Sequence, residues 1–89
     1  MPTKEKVTKV INGDTFETSR RKHPVRLANV VTPQKGQTGY MAAKKDLTKQ
    51  IMGRIVTIDT VKRDSCHRSV AMVKLGAKSV NKAMEKYER

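Results

Sequence analysis

Apolar residues fall in short runs along this chain, and the spacing within the runs changes between strand-like and helix-like. Val7 and Val10 mark a short strand over residues 6–10, and Asn12-Gly13-Asp14 then supplies residues that tolerate a tight turn. Residues 15–19 continue as its hairpin partner. After the basic loop Arg20-Arg21-Lys22-His23-Pro24, Val25-Arg26-Leu27-Ala28-Asn29-Val30-Val31 predicts a third strand that stops at Thr32-Pro33. Residues 34–39 hold two glycines and no apolar side chain, which is loop chemistry. The period then changes: Ala43, Leu47 and Ile51 recur at i, i+4 and i+8, with Lys44, Lys45 and Lys49 elsewhere around the turn. That spacing predicts an amphipathic helix of about three turns, with Thr38 as N-cap and Gly53 as its stop. Residues 55–61 are rich in β-branched side chains and predict a fourth strand; residues 69–74 predict a fifth. Leu75-Gly76-Ala77-Lys78 is a turn, and Ser79 caps a last helix in which Val80 meets Met84 and Ala83 meets Tyr87.

This order of elements predicts one domain over residues 1–89, mainly β with helices. The expected architecture is an OB-fold: a five-stranded antiparallel barrel with one helix between strands 3 and 4 and a C-terminal helix, because short strands in so small a chain cannot leave long bare edges. With 36% hydrophobic and 31% charged residues, the chain is too apolar for a disordered tail and too polar to be built around a membrane span. No apolar run approaches the roughly 20 residues of a spanning helix, and Met1-Pro2-Thr3-Lys4 is not followed by a secretory stretch, so the expected location is cytoplasmic. The single cysteine, Cys66, cannot form an internal disulfide, and with His23 and His67 it makes no zinc spacing. Cys66 and His67 as nucleophile and base are disfavoured too, since adjacent residues in an extended segment point to opposite sides. Cys66 reads as an ordinary loop thiol.

Charge narrows the partner. Twenty Lys plus Arg against eight Asp plus Glu leave a net charge of +12, a self-repulsion that a polyanion relieves. Nucleic acid fits, because phosphate contacts need only suitably spaced cations. A membrane surface would want a basic amphipathic helix with bulky apolar residues opposite, and no membrane partner is expected. The candidate nucleic-acid contacts are Arg20, Arg21, Lys22, Arg26, Lys62, Arg63 and Arg68, the first three and the last three flanking one cleft if the barrel closes. Phe16, Tyr40 and Tyr87 are the only aromatics and read mostly as core, so stacking platforms are few. Binding to DNA or RNA should be electrostatic, salt-sensitive and of low sequence specificity.

Four stretches resemble the staphylococcal-nuclease-like (thermonuclease) family: Val10-Ile11-Asn12-Gly13-Asp14-Thr15, Val25-Arg26-Leu27 leading to Thr32-Pro33, Gly36-Gln37-Thr38-Gly39, and Asp64-x-x-x-Arg68. The resemblance runs from about residue 7 to residue 84. It implies an OB barrel and, in active members, calcium-dependent cleavage of DNA and RNA. In that family the metal is held by the Asp of the Gly-Asp-Thr turn, by an Asp before Thr-Pro and by that Thr's backbone. A Glu after Thr-Pro positions water, and two arginines clamp the phosphate. Carried onto this chain, the resemblance makes Asp14 and Thr32 the metal positions, Arg26 and Arg68 the clamp, and Gln34 the occupant of the catalytic Glu position. Taken without the resemblance, Asp14 reads as a turn residue bonding its own backbone; with the resemblance, turn residue and ligand remnant stand even.

Two positions depart from the pattern. Val31 replaces the second metal carboxylate, and Gln34 can hold a water but cannot take its proton. The expectation is a nucleic-acid-binding module with lost or strongly weakened metal-dependent phosphodiesterase activity and no cofactor. One alternative is an active metal-dependent endonuclease or exonuclease using calcium, with Asp59 or Asp64 supplying the missing carboxylate. A second is a protein-interaction scaffold. The family often continues with another helix over the barrel, so two readings stand open: a protein partner or self-association covers that side, or the small core suffices.

Overall fold

The computed structural model describes residues 2–64 and 67–87. The strands are β1 (Thr3–Asn12), β2 (Thr15–Thr18), β3 (Val25–Leu27), β4 (Ile55–Arg63) and β5 (Ser69–Leu75), with helix α1 (Tyr40–Ile51) between β3 and β4. A two-residue strand β6 (Lys78–Ser79), a short helix α2 (Val80–Met84) and a 3-10 turn (Glu85–Tyr87) follow. The sheet runs β3-β2-β1-β4-β5-β6, and a further β3–β5 pairing closes its first five strands into a barrel.

Closure corrects one expectation, for the barrel is mixed rather than wholly antiparallel. Val25 stands opposite Ser69 and Arg26 opposite Val70 in a parallel ladder. A parallel pair needs a long crossover, and the stretch holding α1 and β4 provides it. Strand β1 serves two neighbours: Thr3 to Lys6 pair with β4, and Val7 to Asn12 pair with β2. Register shifts between Val7 and Lys9 and between Val10 and Asn12 bend the strand around the barrel.

Periodicity accounts for the core. Ala43, Leu47 and Ile51, the predicted helix face, are fully buried beside Phe16, Leu27, Ile58 and Met84. Gly53, with φ 76°, follows the C-cap residue Met52 and lets the chain turn into β4. Ser79 caps α2, its Oγ accepting from the Lys82 amide at 3.2 Å.

Three local expectations change. Thr38 does not cap α1: the N-cap is Gly39 in the left-handed conformation, φ 90°, which a residue with a side chain rarely adopts. The third strand ends at Leu27 rather than Val31, because Asn29 turns the backbone left-handed at φ 60° and leaves Val30 buried and Val31 47% exposed. The last helix tightens into the 3-10 turn, where the Tyr87 hydroxyl donates to Asp46 Oδ2 of α1 at 2.7 Å. That hydrogen bond leads the causes that hold the Asp46 carboxyl at about 2.

Asn81 locks α2 onto the closing strands. Its Oδ1 accepts from the Val73 amide at 2.7 Å, and its Nδ2 donates to the Ala28 and Ala71 carbonyls at 2.9 and 3.0 Å, all of it buried. Asn81→Ala strands these backbone groups without partners and should cost about 2 kcal/mol. A lower urea midpoint at unchanged m is the expected readout; an unmoved midpoint would show that water replaces the amide. Among the described residues, no helix is long and apolar enough to cross a membrane.

Candidate phosphate-handling site

The β1–β2 turn consists of Gly13 and Asp14. Asn12 Oδ1 accepts from the Asp14 amide at 3.0 Å, and the Asp14 carbonyl accepts from the Leu27 amide at 2.8 Å, so the turn is tied to β3. A Cβ on Gly13 would stand 2.7 Å from Ala43 Cβ and 3.0 Å from Thr32 Oγ1. Glycine thus lets α1 and Thr32 close against the turn. The Asp14 side chain is buried; its Oδ1 accepts from Thr15 Oγ1 at 2.8 Å, and its Oδ2 lies 3.8 Å from Arg26 Nε. Asp14 therefore serves the turn through its backbone while its carboxylate faces Thr15 and Arg26.

Thr32 is buried, and its Oγ1 has no hydrogen-bond partner among the described residues. Its carbonyl is taken: the Gln34 side-chain amide donates to it through Nε2 at 3.1 Å, while the Gln34 backbone N–H donates to Gln37 Oε1 at 2.7 Å. The Val31 side chain carries no ligand oxygen and is about half exposed.

The residues present do not fit calcium. That ion takes six to eight oxygens, whereas this turn offers one carboxylate already facing a guanidinium and a carbonyl already capped by an amide. Among the described residues, no three His, Cys, Asp or Glu side chains are grouped to hold a metal ion. Asp64 binds Arg68, its Oδ2 2.7 Å from Nε and its Oδ1 accepting the Arg68 amide at 3.0 Å. Asp59 is exposed on β4 opposite Met72 and lines a cavity of about 150 Å³ with Pro2, Thr57 and Lys74. Neither completes a three-ligand set with Asp14. Cys66 lies outside the described residues.

Arg26 and Arg68 enter from adjoining strands, Arg26 within β3 and Arg68 immediately before β5. Both are partly exposed and both make their ion pair through Nε. Arg26 Nη2 also donates to the Val30 carbonyl at 3.4 Å, while the terminal nitrogens of Arg68 have no partner among the described residues.

Arg21, read from the sequence as a nucleic-acid contact, uses its donors inside the protein. Its Nε meets Glu5 Oε1 and Oε2 at 2.8 and 3.0 Å, and its Nη1 donates to Ser69 Oγ at 2.9 Å and Thr60 Oγ1 at 3.3 Å. Thr18 Oγ1 donates to Glu5 Oε1 at 2.7 Å, and Thr3 Oγ1 donates to Oε2. Burial alone would raise the Glu5 carboxyl, but hydrogen bonds from Arg21, Thr3 and Thr18 with the Arg21 charge outweigh it and hold it at about 2. Glu5 was not among the sequence candidates, although it shares the inward face of β1 with Val7 at a spacing of two.

Of the two basic groups expected to flank one cleft, Arg20, Lys22 and Arg63 line a cavity of about 240 Å³ with Arg21, His23 and Ser69, whereas Lys62 and Arg68 are not in its lining. Lys62 is exposed one residue before Arg63. The His23 and His67 rings, far apart in sequence, stand 5.7 Å apart.

A small mixed barrel of the OB type, with a carboxylate and a guanidinium gathered at its first turn, is the class these features define. The chain belongs to the family of staphylococcal nuclease homologues: that family's model matches residues 24–87, from the residue before β3 to the final 3-10 turn. The match contains Arg26, Thr32, Gln34 and Arg68 and begins after Asp14. A comparison with curated proteins gave no match.

Proposed function

We propose that this domain binds nucleic acid through its phosphates and has lost, or strongly weakened, the metal-dependent cleavage that its family resemblance implies. The observation that carries the reading is the Gln34 amide on the Thr32 carbonyl, beside a turn with a single carboxylate. A neutral amide can orient a water but cannot accept its proton, so this position lacks general-base help usually worth about 10² to 10⁴ in rate. Arg26 and Arg68 present planar forks suited to phosphate oxygens. Aromatic stacking contributes little: Phe16 is fully buried, and the Tyr40 and Tyr87 hydroxyls are engaged with Ile11 and Asp46.

Titration of labelled single-stranded DNA and RNA at several salt concentrations tests this. Binding should weaken steeply with salt, and Arg68→Ala should lower the slope of log K against log salt by about 1, equally for unrelated sequences. Undetectable binding at low salt, or binding indifferent to salt, would overturn the reading.

A further inference from the structure

The basic cavity beside β3 is separate from the Asp14 turn, since neither Asp14 nor Arg26 lines it. We propose that it is a second phosphate site, seating a backbone phosphate of the bound strand; this rests on the nucleic-acid reading above and names where a further contact is made.

Its lining has no carboxylate. Arg20, Lys22 and Arg63 are exposed and make no ion pair among the described residues, so three cations face one concavity without a counter-charge. Mutual repulsion of that kind is relieved by an anion. The floor is different in kind. Arg21 is neutralised from behind by Glu5 and fixed by Ser69, which leaves the Ser69 hydroxyl proton free to point at a guest oxygen. The cavity's volume of about 240 Å³ leaves room for a phosphate group and retained waters, each of which occupies about 30 Å³ in the liquid.

The rim brings an independent observation. His67 adopts φ 62°, a left-handed conformation uncommon for a residue with a side chain, and its amide donates to the Asp64 carbonyl at 3.1 Å. That turn of the β4–β5 loop sets its ring beside His23 of the β2–β3 loop. Neither imidazole has a hydrogen-bond partner among the described residues, and each carries an N–H donor even when neutral. Unpaired donors on two loops, converging at the edge of a carboxylate-free basic cavity, are what a tetrahedral anion with several acceptor oxygens would engage.

The test uses the full chain, inorganic phosphate, and a short single-stranded oligonucleotide lacking terminal phosphates. NMR follows the imidazole signals of His23 and His67 while binding is titrated for the wild type and for Lys22→Ala/Arg63→Ala, substitutions on exposed side chains. The oligonucleotide should shift both imidazoles, and the double variant should bind about tenfold more weakly at 0.1 M salt with a slope reduced by about 1. Oligonucleotide binding with unmoved imidazoles and an unchanged slope would overturn the second site and leave the nucleic-acid reading standing. Imidazole shifts with inorganic phosphate but not with the oligonucleotide would assign the cavity to free phosphate and overturn its role on a strand. Response to neither, with no binding at all, would remove both readings.

Discussion

Arg21→Ala is expected to lower the unfolding free energy by about 3–5 kcal/mol, because it strands the Glu5 carboxylate in a buried position with only hydroxyls for company. In a domain of this size each kcal/mol moves the midpoint by about 4–8 °C, so Tm should fall by more than 10 °C. The pH dependence separates this cause from simple loss of packing. In the wild type the folded-state carboxyl is depressed from 4.5 to about 2. Its contribution to stability is therefore complete above about pH 4.5 and lost as pH falls toward 2. Without Arg21 the strongest lowering hydrogen bond and its charge are gone while the burial penalty remains, so the carboxyl is depressed less than in the wild type and the gap between variant and wild type should narrow as pH falls. Asp46, also held at about 2, titrates in the same window in both proteins and cancels in their difference. Urea melts at neutral pH and near pH 3 are sufficient. A gap that stays constant with pH would mean that the carboxylate charge is not what Arg21 stabilises.

The second expected result concerns chemistry. The wild type should show little or no calcium-stimulated cleavage of DNA or RNA, whereas Val31→Asp combined with Gln34→Glu should raise it to at least about 10² times the wild-type rate or detection limit. Gln34→Glu removes the amide that donates to the Thr32 carbonyl and supplies a group able to accept a proton. Val31→Asp adds a hard oxygen ligand in the residue before Thr32, whose side chain packs against Gly13 of the Asp14 turn. Calorimetry with calcium alone gives the parallel readout: heat of binding for the double variant and none for the wild type. Wild-type cleavage that needs metal and disappears in Asp14→Ala would overturn the reading and require a carboxylate from elsewhere. A double variant that binds calcium without cutting would place the loss in the arginine clamp, where Asp14 and Asp64 already hold the two guanidinium groups through Nε.

The amino-acid sequence by itself determined the elements and their order. The face of α1 formed by Ala43, Leu47 and Ile51, the β-branched run of β4, the stop at Gly53 and the Ser79 cap each depend on residues within a turn or two, where period and local backbone chemistry are decisive. The family resemblance was legible for the same reason, as short motifs in a fixed order, and so were the departures at Val31 and Gln34. Boundaries set by unusual backbone were not legible: the left-handed Asn29 that ends β3 and the Gly39 that replaces Thr38 as cap depend on where the following segment must go. Only the tertiary structure decided what closure brings together. The parallel β3–β5 ladder and His23 beside His67 join segments whose meeting no local pattern announces. Arg21 is the clearest case. In the sequence it is one cation among three in a basic loop, and it becomes a structural residue because the curl of β1, β4 and β5 delivers Glu5, Thr60 and Ser69 to its fork. A basic side chain binds whatever acceptors the folded chain places within reach, and which acceptors those are is a property of the closed barrel.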